Sequence, residues 1–493
     1  MAADADAGDG AASAAAAAAA AARGLPRIDR SGGLRAIRIG RCLSHVATLL
    51  KRASLHDAAC GTALLALRVA SAVLPAEDGL PSSLRCKLAK GLAALARFEE
   101  GAALTAGNLA LDLGGRLARA QALLAHAAVV GGRGAAGDGA AAIAAAAEAV
   151  ALLEEGAGEA AGRDANVAEG LSTLARLSEA SAPAAAEALH RRCLAARANS
   201  LGAGHSAVSV DMNRLAAFLA PRAGRLGDAI ALAEGALRID DANLEPSDTE
   251  LAKARSFLAG LYARAGRHDA ARAAYDAAIA ANETAASRGR AGAALDLARD
   301  LTNRAALPGP GAGAGAEASL RRALTILASA AGGAPESVRR LSADPAAGRR
   351  ASEPLLTAAT ADALAALGAR LLARGRAEDA EPLLREAVRA TAGRPRGAHL
   401  GNLACCLVDL GRGPDAVDFA RRQLDLDLRM FGSGHANVAA AWDTLATALD
   451  LADRPEDATA AGRSAVAAAR KSLGEDHPTT LAYRESWSGG GGA

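Results

Sequence analysis

Residues 403–435 read LACCLVDLGRGPDAVDFARRQLDLDLRMFGSGH, and residues 445–477 read LATALDLADRPEDATAAGRSAVAAARKSLGEDH. The second stretch repeats the first at an interval of 42 residues (403 to 445). Leu403, Ala404 and Leu407 recur as Leu445, Ala446 and Leu449; Ala416 recurs as Ala458, Gly432 as Gly474 and His435 as His477. A fixed period of this size marks a solenoid, in which one supersecondary unit is stacked on copies of itself. The same interval relates Leu215, Leu219, Gly224, Arg225, Ala229, Ala236 and Leu237 to Phe257, Leu261, Gly266, Arg267, Ala271, Ala278 and Ile279.

Each unit reads as a helix pair. Leu258, Leu261, Tyr262 and Ala265 share one helical face, and Gly266 ends that helix because glycine enters the left-handed region at little cost. Ala271, Tyr275 and Ala278 form the inner stripe of a second helix. So short a connection makes the two helices antiparallel neighbours. Pro414 and Pro455 fall at the start of second helices, where a missing N–H costs nothing. Helix boundaries are therefore expected at Gly224, Gly266, Gly375 and Gly411. A lone pair cannot bury its own apolar face, so the units must stack.

Composition agrees. Of 493 residues 51% are hydrophobic but only 2% aromatic, and alanine supplies the surplus. Such a chain packs helices at close range and lacks the β-branched and aromatic residues that favour sheet. Its fold class is all-α, a right-handed solenoid of antiparallel helix pairs.

Leu258-Ala259, Tyr262, Ala271, Tyr275 and Ala278 resemble the tetratricopeptide pattern, as do Leu367-Gly368, Leu371, Ala380, Leu384 and Ala387. The usual period of that family is about 34 residues. The longer period here, with Leu201-Gly-Ala-Gly-His205, Phe431-Gly-Ser-Gly-His435 and Leu473-Gly-Glu-Asp-His477-Pro478, resembles the linker of kinesin-light-chain-type repeats. The resemblance spans roughly residues 100–485 and is clearest at 190–290 and 360–485. Kinesin light chains also carry a heptad coiled coil before their repeats, whereas residues 1–100 contain no sustained heptad.

The chain then divides as follows. Residues 1–24 are a low-complexity alanine-rich segment expected to be disordered, and 25–99 a helical region or degenerate repeats. Residues 100–487 are the repeat array, with insertions at 308–315 and 332–354, and 488–493 a flexible glycine-rich tail. Within this scheme Leu84 to Phe98 reads as one helix, Leu109 to Ala120 as a helix, a Gly-Arg turn and a second helix, and Gly131 to Gly139 as a flexible loop.

Several function classes are excluded. The 56 basic and 54 acidic residues leave a formal charge of +2, and no basic patch with interleaved aromatics appears, so nucleic acid is not an expected partner. No uncharged apolar run of about 18 residues exists to span a membrane. The six cysteines form no C-x-x-C pair, which argues against a disulfide framework or zinc site. His205, His435 and His477 recur at equivalent repeat positions. Two helix layers separate them, so they cannot share one metal and read as helix-start residues. No phosphate loop, H-E-x-x-H or G-x-S-x-G occurs, so the chain reads as neither an enzyme nor a cofactor binder.

A binding scaffold needs only a surface, and solenoid curvature supplies a concave groove lined by first helices. The resemblance implies that residues just before the inward Leu-Ala face that groove. These are Asn213, Ser256, Asn402 and Asp443, with Thr447 one turn later. The expected function is a protein-interaction scaffold or adaptor that binds partner peptides there. A regulatory or sensor module of a larger enzymatic assembly and an organelle RNA-associated repeat are the alternatives. A cytoplasmic location is expected, with an Arg-rich transit segment at 23–52 as the minor alternative.

Overall fold

The computed structural model describes residues 33–52, 56–75, 78–111, 113, 115–135, 137–245, 248–290, 292–309, 314–330 and 353–488. The expectations for 1–24, for most of the 332–354 insertion and for the tail beyond 488 lie outside the described residues. The described residues form 21 α-helices and no strand. Two compact units divide the chain, Met1–Ala265 and Gly266–Ala493.

The first unit contains α1 (Gly33–Arg52), α2 (His56–Ser71), α3 (Gly79–Ala94), α4 (Phe98–Leu109), α5 (Arg116–Arg133) and α6 (Asp138–Ala157). After a 3-10 turn at Gly158–Arg163 come α7 (Ala165–Ser178), α8 (Pro183–Leu201), α9 (Ser206–Leu219), α10 (Leu226–Asn243) and α11 (Thr249–Arg264). The second unit contains α12 (His268–Ser287), α13 (Ala293–Ala306), α14 (Ala314–Ala330), α15 (Glu353–Leu372), α16 (Ala377–Ala390), α17 (Gly397–Asp409), α18 (Gly413–Phe431), α19 (Ala436–Leu451), α20 (Pro455–Leu473) and α21 (Pro478–Ser488). Odd-numbered helices up to α19 are the first members of pairs, except that the division between units separates α11 from α12. The sequence reads those two as a single pair, Leu258 to Ile279. Leu258 and Leu261 enter the core of the first unit, and Ile279 enters that of the second. In the turn between them Gly266 has φ 72°, and the His268 N–H donates to the Gly266 carbonyl at 2.9 Å.

Alanine makes these pairs close. Ala216, Ala229, Ala259, Ala271, Ala380, Ala404, Ala416 and Ala446 are fully buried where helices cross. Leucines such as Leu219, Leu384, Leu403 and Leu407 fill the rest of the core, and Leu384 packs against Gly368 of its own pair. In the second unit one apolar cluster runs from Ala305 to Ala461. In the first unit the core is broken into smaller clusters, with Ser82, Thr105 and Asn108 buried among them.

The N-terminal boundaries differ from the sequence reading. The Asp78 side chain accepts the Leu80 N–H at 2.9 Å and starts α3 early, while Phe98 belongs to the next helix. Leu109 closes α4, and α5 begins only at Arg116. Gly131 and Gly132 are helical, not loop. A Cβ on Gly131 would lie 2.4 Å from Leu177 and one on Gly132 2.8 Å from Phe98, so these glycines permit close packing.

Four of the turns between paired helices share one form. At Gly375 and Gly411 φ is 71° and 72°, and the following arginine N–H reaches back five residues to close the turn. Arg376 donates to Leu371 O at 2.9 Å and Arg412 to Leu407 O at 2.8 Å. This is the Schellman arrangement, which satisfies a carbonyl left over at the helix end. Each arginine side chain then turns to a carboxylate three residues on, Arg376 to Asp379 at 2.8 Å and Arg412 to Asp415 at 3.0 Å. Arg97 with Glu100 and Arg454 with Asp457 repeat the device, at 2.6 and 2.8 Å. In those two turns the left-handed position holds Ala96 and Asp453, both at φ 60°.

A second regularity lies near the end of six second helices, α8, α10, α12, α16, α18 and α20. Eleven residues after the first buried alanine of each stands a residue facing a first helix. The position holds Arg197, Asp240, Asn282, Thr391 and Asp427, and in α20 Ala469. Arg197 donates to Asp211 of α9 at 2.7 Å, and Asn282 to Asp300 of α13 at 2.9 Å. Ser209 of α9 donates to Asp240. Thr391 lies 3.4 Å from Nδ1 of His399, whose Nε2 is 3.1 Å from Asp362. Gln423 donates to Asp427 at 3.3 Å. Burial pushes the carboxyls of Asp240 and Asp427 above their ordinary values.

Two predictions follow from these positions. A left-handed backbone costs a non-glycine residue about 1–2 kcal/mol. Ala96→Gly should therefore raise the denaturant midpoint by about 1 kcal/mol of stability, and Asp453→Gly by somewhat less, because Asp tolerates that region better. For Asp427 the folded chain holds the proton more tightly than the unfolded chain, so ionisation costs stability. That cost is full above the raised folded value and disappears below the unfolded value of about 3.9. Asp427→Asn should melt higher than wild type at neutral pH, and the gap should close as the pH falls towards 4 (the ~3.9 unfolded reference).

Candidate functional site

The recurrent histidines are helix caps. Nδ1 of His205 accepts the Ala207 N–H at 3.1 Å, that of His435 the Asn437 N–H at 3.1 Å and that of His477 the Thr479 N–H at 3.2 Å. These bonds satisfy N–H groups that the first turns of α9, α19 and α21 leave without intrahelical partners. The preceding glycines, Gly202, Gly432 and Gly474, have positive φ and release the chain from the second helix. His435 also stacks on Phe431, with ring centroids 4.5 Å apart. Among the described residues, no three His, Cys, Asp or Glu side chains stand together as a metal-binding group.

The five groove residues fall in two units. Asn213 on α9 and Ser256 on α11 belong to the first, and Asn402 on α17 with Asp443 and Thr447 on α19 to the second. The latter three lie on neighbouring first helices of the second unit. Their chemistry also differs. Ser256 and Thr447 donate to carbonyls of their own helices, Ala252 O and Asp443 O, each at 3.0 Å. Asn213 is half-buried, and its Oδ1, shut off from solvent, accepts no hydrogen bond. Asn402 is half-buried on the equivalent face of α17.

Asp443 is not a free groove carboxylate. It accepts the indole N–H of Trp487 at 2.8 Å, and burial pushes its carboxyl above the ordinary range. Trp487 lies on α21, 42 residues after Leu445, and takes the slot that Leu403 and Leu445 fill in earlier repeats. The repeat spacing was the signal that could have found it. Neighbouring first helices are linked elsewhere as well. Arg214 donates to Ser172 at 3.1 Å and Arg264 to the Ala220 carbonyl at 2.8 Å. Sequence reading also missed a lysine-bearing hollow on α3, because residues 25–99 show no repeat signature.

Each unit is a tandem of helix hairpins, with alanine crossings, left-handed turns and capped linkers of the helical-repeat kind. Two segments, residues 360–391 and 438–479, match the family model described as tetratricopeptide repeat. Both lie in the second unit, and they are tetratricopeptide repeats. Similar solved structures include BtubC (BKLC) from P. vanneervenii, at 18% identity over 51% of this chain and 92% of that one, with a TM-score of 0.37. A putative kinesin light chain with nearly identical TPR-like repeats from Podosopora anserina is 16% identical over 54% and 97%, with a TM-score of 0.24. Yeast Tom70 is 11% identical over 92% and 96%, with a TM-score of 0.40. Likenesses this low carry no weight for function. No curated protein matches the sequence. Among the described residues no helix is long and apolar enough to cross a membrane.

The cap assignment predicts a graded response. His435→Ala should cost about 1 kcal/mol, the usual value of an N-cap, while His435→Asn should retain most of it. Urea melts of the two variants beside wild type check this, and equal losses would count against a capping role.

Proposed function

We propose that the chain is a protein-interaction scaffold whose first-helix face forms a groove for partner peptides, in the manner of the kinesin-light-chain-type repeats that its linkers resemble. Tetratricopeptide hairpins are interaction modules, and their fold is generally non-catalytic. The observation that carries the reading is Asn213. Its buried Oδ1 has no partner in the protein, and a buried acceptor left unmade is costly. The Asn213 side chain as a whole is only half-buried, so its amide can turn Oδ1 outward to accept a backbone N–H from an extended peptide laid along α9. Asn402 holds the corresponding place on α17 in the second unit. Ser256 and Thr447 contribute shape more than hydrogen bonds, since their hydroxyls are engaged locally. Asp443 belongs to the packing of α21, so the asparagines are the residues on which recognition rests.

The test begins with peptides captured by cross-linking to the full chain, whose affinities are then measured by calorimetry. The Asn213→Ala, Asn402→Ala double variant should bind at least about tenfold more weakly, a change of about 1.4 kcal/mol. Its stability should not fall by more than about 0.5 kcal/mol, because neither side chain is fully buried and deleting the unpaired Asn213 Oδ1 removes a cost and breaks no bond. Unchanged affinity, combined with loss on altering the second-helix face at Arg191 and Arg238, would place binding on the other side of the repeats.

A further inference from the structure

Lysine is scarce in this chain. Lys51, Lys87, Lys90, Lys253 and Lys471 are the only five, and the other basic residues are arginines. Two of the five stand one helical turn apart on α3. Lys87 and Lys90 are shared by two adjoining hollows of about 230 and 220 Å3. The first hollow is also lined by Ser83, Gln121, Asn166 and Glu169, from α3, α5 and α7. Thr48 of α1 and Cys60 of α2 help to line the second.

The charges there are unbalanced. Arginines across the molecule are widely matched to carboxylates, as Arg225 is to Glu187 at 2.9 Å and Arg304 to Asp276 at 2.6 Å. Among the described residues no carboxylate lies within ion-pair distance of Lys87 or Lys90. Lys87 donates to hydroxyls, Ser44 Oγ at 2.6 Å and Thr48 Oγ1 at 3.4 Å. Neutral partners of this kind orient an ammonium without cancelling its charge. Burial holds the Lys87 ammonium below its ordinary pKa, which marks the lack of compensation. Glu169 is the one acidic residue of the first hollow, and Arg197 faces it at 3.8 Å.

We propose that the hollows at Lys87 and Lys90 are a binding site for an acidic protein segment, with adjacent Asp or Glu side chains entering them. Each hollow has room for an acidic side chain, and the amides of Gln121 and Asn166 in the first are placed to bond the segment's backbone. A nucleic acid is disfavoured, because no aromatic side chain lines either hollow for base stacking. Glu169 at one end also repels a longer polyanion. The site is separate from the asparagines on α9 and α17, so its failure would leave the groove reading intact, and the converse also holds.

Fluorescence anisotropy with the full chain tests this. The probe is a short labelled peptide, blocked at both ends, with a central Glu-Glu flanked by Ala and Ser; its Gln-Gln counterpart is the control. Wild type should bind the Glu-Glu probe roughly tenfold tighter, as expected for newly paired, partly desolvated charges. Raising the salt should erode that preference. Lys87→Gln with Lys90→Gln should abolish it, Lys87→Arg with Lys90→Arg should keep most of it, and Lys253→Gln should leave it unchanged. Equal binding of the two probes, or no binding of either, overturns the proposal. So does a preference that survives the double Gln change, or displacement by single-stranded RNA as effective as by unlabelled peptide. If the Gln variant does not fold, a salt-insensitive preference in wild type overturns it equally.

Discussion

Contact between helices through alanine is the constraint on which the rest of this structure depends. Ala216, Ala229, Ala404 and Ala416 have no exposed surface, and any larger side chain there would force the helices apart. Overpacking of that kind costs about 1–3 kcal/mol in a close-packed interior. A methyl group buries little area, however, and a helix pair closed on alanine has almost no core of its own. Stabilisation must come from leucines such as Leu384 and Leu403, each contributing about 1.5–3 kcal/mol when fully removed from water. Leu384 packs on Gly368 within its own pair, and with Leu403 it joins the apolar cluster shared with neighbouring pairs, which only stacking completes. The small residue that makes a pair possible thus makes stacking obligatory.

Stacking on alanine and leucine alone would leave register weakly specified, because apolar contacts are non-directional. Directional groups occupy two recurrent places. In the turns, an arginine N–H closes a Schellman bond and its guanidinium meets an acid three residues later, as at Arg412 and Asp415. Near the ends of second helices, Arg197, Asp240, Asn282, Thr391 and Asp427 meet polar groups on first helices or, for Asp427, on their own helix. A slip of one residue along either helix would strand these groups unpaired in the interior, at a cost that exceeds the net gain of making the bond. Their identities differ from repeat to repeat, which disfavours exchanging one interface for another.

The first-helix face carries the functional readings because packing uses it only in places, at Asp443 with Trp487, Arg214 with Ser172 and Arg264 with the Ala220 carbonyl. Second helices supply the buried seam, and linkers are occupied by their histidine caps. What remains is polar, partly buried and unequal along the chain. Around α3 it presents lysines held by hydroxyls, at α9 an asparagine with an unanswered oxygen, and at α19 a carboxylate already covered by Trp487. One scaffold of repeated geometry thereby offers chemically distinct stations.

How much of this was legible depends on whether the cause was local. The interval from Leu403 to Leu445, the glycine at 411 and the histidine at 435 act through their own backbone and its neighbours. Their residue types therefore announced helix pairs, boundaries and caps before any coordinates. Leu84 to Phe98 read as one helix with no repeat turn, because alanine stands at 96 where glycine marks most of these turns, although Arg97 and Glu100 carried the same signal. Gly131 and Gly132 read as loop because their role, making room for Leu177 and Phe98, exists only after α7 and α4 have packed. Asp443 read as a groove residue for the same reason, since the indole that covers it arrives from 44 residues further on. Local backbone preference is written in the residue itself. Occupancy of a surface position depends on which distant side chain reaches it first, and that only the tertiary structure decided.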